Sequence, residues 1–89
     1  MKEKTPFKVG KSYVIRTATM IQLGKLKSVV GEFLILSDAV WVADTGRFHN
    51  FLKDGTVSEY EGFVNDCIVP TGSIIDATEW KHKLLSGQK

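Results

Sequence analysis

One cysteine, Cys67, stands in the whole sequence, so no intrachain disulfide can form. A bridge-stapled secreted scaffold is thereby excluded, and the chain fits a reducing compartment. No apolar stretch approaches the roughly 20 residues that a membrane-spanning helix needs. The opening Met1-Lys2-Glu3-Lys4-Thr5-Pro6 lacks the apolar core of a secretory signal. Internal repeats and low-complexity tracts are missing. So are a glycine-rich phosphate loop, zinc-ligand spacing and a serine nucleophile elbow. These absences point to a soluble, cytoplasmic protein that uses no cofactor or metal and is not an enzyme. An enzyme would need more converging groups than these 89 residues offer.

What is present suits a single globular domain. The chain is 43% hydrophobic, which separates it from disordered sequences. A domain of this size buries only about 60% of its unfolded surface, so self-association into a homo-oligomer is expected to support it. The net charge of +2 is unevenly spread. Residues 1–11 carry Lys2, Lys4, Lys8 and Lys11 against Glu3, and read as a flexible basic segment. Residues 81–89 carry Lys81, Lys83 and Lys89 without an acid, and read as a basic, frayed tail. The body, residues 12–80, is therefore acidic. Nucleic acid is a possible partner but not the favoured one.

Within the body, residues 13–19 and 20–29 are rich in β-branched and aromatic types and read as strands. Gly24 inside the second run predicts a bulge or sharp bend. The continuous apolar residues 33–36 read as a strand buried on both faces, 37–39 as a break and 40–43 as a further strand. Phe48, Phe51 and Leu52 then fall at helical spacing. A helix is expected over 46–54, capped by Asp44 or Thr45 and stopped at Gly55. Residues 55–66 read as a long exposed loop, 67–69 as a strand, 70–73 as a turn and 74–80 as the last strand. The expected fold is mainly all-β: a small, strongly bent antiparallel sheet or barrel. One short helix is inserted between the third strand and the last two.

Particular segments carry two family resemblances. Gly24-Lys25-Leu26, Gly31-Glu32-Phe33-Leu34-Ile35-Leu36-Ser37-Asp38-Ala39 and the run 67–75 resemble the two motifs of Sm-like proteins. That resemblance implies an Sm-like barrel and rings formed through edge strands. It does not extend to the uridine pocket. The first turn is Val30-Gly31-Glu32, and the second, Thr71-Gly72, has no arginine. A second likeness spans Val14-Ile15-Arg16-Thr17-Ala18-Thr19-Met20, residues 39–48 and Gly72-Ser73-Ile74-Ile75-Asp76-Ala77-Thr78-Glu79-Trp80. These segments look like a family of small phage and prophage proteins. The resemblance implies an accessory, counter-defence role in the host cytoplasm and names no catalytic residue.

The segment Trp41-Val42-Ala43-Asp44-Thr45-Gly46-Arg47-Phe48 carries the richest chemistry. Helix-start N–H groups and Arg47 could hold an anion, and Trp41 or Phe48 could stack on a base. Caps and core packing are the ordinary alternative for the same residues. Arg16 suits a phosphate or carboxylate, with Thr17 and Thr19 adding hydroxyls. Asp76, Thr78 and Trp80 share one face of the last strand and form a secondary candidate group, though Trp80 also suits the core. Cys67 reads as a buried small hydrophobe. These residues suggest a protein that sequesters a small, nucleotide-derived immune signal. An Sm-like nucleic-acid ring is one alternative. The other is an inhibitor that meets a host protein through a strand edge or the 55–66 loop.

Overall fold

The computed structural model describes residues 5–89. Strands β1 (Ser12–Thr17), β2 (Ile21–Val30) and β3 (Phe33–Asp44) form a meander. A helix, α1 (Phe48–Asp54), precedes β4 (Glu59–Gly62) and β5 (Cys67–Pro70). A single 3₁₀ turn, Thr71–Ser73, leads into β6 (Ile74–Trp80). All pairings are antiparallel, in the order β4-β3-β2-β1-β6, with β5 also on β3. The fold is thus a small, mainly β protein with one helix, as the sequence pattern implies. Among the described residues, no helix is long and apolar enough to cross a membrane.

The two sheet faces bury separate clusters. Tyr13, Ile15, Leu26, Leu34, Leu36 and Val69 belong to the first. Val14, Leu23, Val40, Val42, Phe51 and Trp80 belong to the second. Strand alternation sends Tyr13 and Ile15 one way and Val14 the other, so β1 is covered on both faces. Helix α1 and the C-terminal segment supply the second cover, through Phe51, Leu84 and Leu85. That cover lies over the Val40–Val42 end of β3 rather than the Phe33–Leu36 end. The expectation that 33–36 is buried on both faces is therefore corrected. Leu34 and Leu36 are buried, whereas Phe33 is 45% exposed.

Gly24 marks an irregularity in β2, where the register to β3 shifts between Leu23 and Lys25. The expected break at 37–39 is instead part of one twelve-residue strand. Its outer edge changes partner there, from β5 at Phe33–Leu36 to β4 from Val40 onward. Asp38 takes a left-handed φ of 51° at the change. Residues 18–20, read as strand, connect β1 to β2, and Thr17 N–H donates to Met20 O.

Strand β4 lies inside the segment read as a loop. Its Glu59-Tyr60-Glu61-Gly62 carries no apolar alternation, and its pairing to β3 holds it in place. Its other edge meets the C-terminus. Tyr60 N–H donates to Lys89 O, and Lys89 N–H donates to Tyr60 O. Residues 81–89 thus fold back instead of fraying. Residues 7–11 also dock, through Phe7 against Tyr13 and Gly10 N–H on Leu26 O. Of the rest of the expected flexible N-terminal segment, Thr5 accepts from Phe7 N–H through Oγ1, and residues 1–4 lie outside the described residues.

Candidate functional site

Arg16 sits on β1 directly opposite Asp76 on β6. Cross-strand partners share a face, so the two side chains meet. Arg16 Nε donates to Asp76 Oδ1 at 2.7 Å, and Nη2 donates to Oδ2. These bonds hold the Asp76 carboxyl below the usual carboxylate range. The guanidinium carbon also lies 5.1 Å from the centre of the Phe48 ring. Three elements, β1, β6 and α1, thereby fix the plane of one exposed cation.

Beside it opens a hollow of about 470 Å³, built by the β1–β2 turn, the end of β3 and Ile75. Arg16, Thr17, Thr19 and Trp41 all line it, and among the described residues Arg16 is its one charged lining residue. Trp41 is 36% exposed, which leaves part of its indole for stacking. Thr17 Oγ1 donates to Met20 O, so its proton is engaged and its oxygen can only accept.

The other expected ligand residues fall elsewhere. Thr45, Gly46 and Arg47 line a second hollow with Asn50, Ser58 and Lys89. The expected capping by Asp44 or Thr45 is corrected. The cap residue of α1 is Arg47, and it makes no side-chain capping bond. Asp44 Oδ1 instead accepts from Gly46 N–H, and Thr45 Oγ1 donates to Gly46 O. Both bonds close a tight turn in which Gly46 has φ 70°. An acid therefore already occupies the Gly46 N–H. Helix α1 starts at Phe48, later than the expected 46, and ends as predicted at Gly55, with φ 76°.

Trp80, a member of the secondary candidate group, is core. It is buried, packs 4.9 Å from Phe51 and donates Nε1–H to Lys83 O. Thr78 is exposed and pairs with Val14 in register, away from the hollow's lining. Burial pushes the Cys67 thiol up, as suits a small hydrophobe. Among the described residues, no group of three or more His, Cys, Asp or Glu converges as metal ligands would.

One residue beside the hollow escapes sequence reasoning. Gln22 is 8% exposed, and its Oε1 has no hydrogen-bond partner. It pairs with Ile15 on one side and Trp41 on the other, so it shares the Trp41 face. A polar residue at an inward strand position was the available signal. A buried unsatisfied acceptor costs about 1–3 kcal/mol. Gln22→Met is therefore expected to hold or raise the melting temperature. A melt that falls by more than about 5 °C, roughly 1 kcal/mol here, would show that the amide makes a stabilising bond.

No family model, curated protein or solved structure matches this chain.

Proposed function

We propose that this is a non-enzymatic binding protein whose hollow beside Arg16 and Trp41 takes a small, anionic, ring-bearing ligand of nucleotide type. One observation carries the reading: a guanidinium held in plane by Asp76 and Phe48, on the Val14 face of the sheet, and a partly exposed indole on the Ile15 face line one hollow around the end of the β1–β2 hairpin. A ring stacks on Trp41 while an anionic group meets the Nη1 side of Arg16, with Thr19 as a further donor. Sequestration needs this recognition and no bond making. In the setting implied by the resemblance to small phage proteins, the ligand is an immune signal held away from its receptor in the host cytoplasm. Self-association belongs to the same proposal. Among the described residues, β5 pairs only with β3 and β6 only with β1, which leaves each an open edge. The acidic body weighs against a long nucleic acid.

Calorimetry against cyclic nucleotides and ADP-ribose derivatives tests the reading. At least one ligand is expected to bind. Trp41→Ala is expected to weaken it by about tenfold to a hundredfold, since stacking of one base contributes about 1–3 kcal/mol. Arg47→Ala, in the second hollow, is expected to change affinity by less than about threefold, under 1 kcal/mol. Silent titrations across the panel, or equal losses from both substitutions, would overturn the assignment.

A further inference from the structure

Among the described residues, Arg16 is the one charged residue lining the hollow, and its Nε–Nη2 edge is already filled by Asp76. One forked edge remains, made by Nη1 and the second Nη2 hydrogen. Two parallel N–H groups match two oxygens on one centre. The charges added by strand neighbours are all acidic. Asp76 stands opposite Arg16, and Glu61 stands opposite Trp41 in the register of β3 and β4. The cations of the second hollow, Arg47 and Lys89, lie outside this lining.

Resting on the nucleotide reading above, we infer that the hollow selects a ligand bearing a single negative charge, a nucleotide phosphodiester, over nucleotides with terminal phosphates. A phosphodiester offers two non-bridging oxygens and one charge to the remaining guanidinium edge. A terminal phosphate carries about 1.5–2 negative charges at neutral pH, and a triphosphate carries more. Each extra charge adds to the anion Asp76 already bound to Arg16, with no other cation among the described lining residues left to meet it. Asp76 thus orients Arg16 and also limits how much negative charge the hollow accepts. Its carboxyl, held below the usual range, stays ionised throughout the neutral pH region.

The experiment compares 3′,5′-cyclic monophosphates of the four common bases with the matching 5′-monophosphates and 5′-triphosphates, by calorimetry on the full chain. In the wild type, the best cyclic monophosphate is expected to bind at least about tenfold tighter than its 5′-monophosphate, with the triphosphate weaker still. Asp76→Asn is expected to flatten that ranking, because it keeps an acceptor for Arg16 and removes the charge. A wild-type preference for the triphosphate would overturn charge selection and leave nucleotide binding intact. Silence of all these nucleotides would overturn charge selection, and silence of the ADP-ribose derivatives as well would overturn both. An unchanged ranking in a folded Asp76→Asn would overturn the role of Asp76. If that variant does not fold, salt decides on the wild type. Screening is expected to narrow the gap between cyclic monophosphate and triphosphate, and a gap that widens would overturn the inference.

Discussion

Gly24→Val is expected to cost about 3 kcal/mol or more and to lower the melting temperature by more than about 12 °C. A Cβ at position 24 would stand 2.9 Å from Ala39 Cβ, 3.0 Å from Ala39 Cα and 3.2 Å from Leu36 Cβ. The Ala39 Cα is main chain of the neighbouring strand and cannot rotate aside. Relief requires β2 and β3 to separate where their register shifts. That separation would open both clusters, since Leu23 feeds one and Leu26 the other. Overpacking a sound core costs about 1–3 kcal/mol and occasionally more. Valine adds two methyl groups beyond the offending Cβ, which places this site at the upper end. A chain of 89 residues has only about 4–13 kcal/mol in total. Circular dichroism and soluble yield provide the readout, and Gly72→Ala is the control. Nothing lies within 4 Å of a Cβ at position 72, so its melting temperature is expected to stay near wild type. A cooperative, near-wild-type melt for Gly24→Val would show that the two strands do not need their close approach.

The same glycine explains why part of the fold was legible in the sequence. A glycine within a β-branched run reports a close approach locally, as does Gly55 at the end of a helical period. The long strand β3 was legible as two pieces, because Ser37-Asp38-Ala39 interrupts its apolar pattern. What joins them is a change of partner on the outer edge, and no local pattern encodes that. Strand β4 was hidden for the same reason. Glu59 and Glu61 look solvated in sequence, and they are exposed in the sheet as well. Only the pairing with β3 and the returning C-terminus makes a strand of them.

The candidate site shows the division more sharply. The residue types that could bind an anion and a ring were readable, and Arg16 and Trp41 do share a hollow. The segment 44–47 looked like the centre of the site because its residues are adjacent in sequence. In the fold, Asp44 bonds back to Gly46, and Arg47 belongs to a different hollow. The partner that shapes Arg16 lies sixty positions away on β6. Gln22 became notable only through the strands on either side of it.

Phe51→Ala is expected to lower the melting temperature by more than about 12 °C and to weaken ligand binding with it. Phe51 is fully buried and packs on Phe48 at 5.9 Å and Trp80 at 4.9 Å. Removing a buried phenyl group costs about 3–5 kcal/mol. The helix that carries it has seven residues, too few to persist without tertiary packing. Loss of the anchor therefore frees α1, and Phe48 leaves the face of the Arg16 guanidinium. Phe48→Ala separates the two consequences. Phe48 is 38% exposed, so its truncation is expected to move the melt by only a few degrees. Its effect on any nucleotide that calorimetry shows to bind the wild type should nevertheless match that of Phe51→Ala measured well below its melt. Calorimetry and thermal melts on both variants provide the comparison. A Phe51→Ala protein that melts early but binds as tightly as wild type would remove α1 from the site. The proposed recognition of an anion would then rest on Arg16, oriented by Asp76 alone.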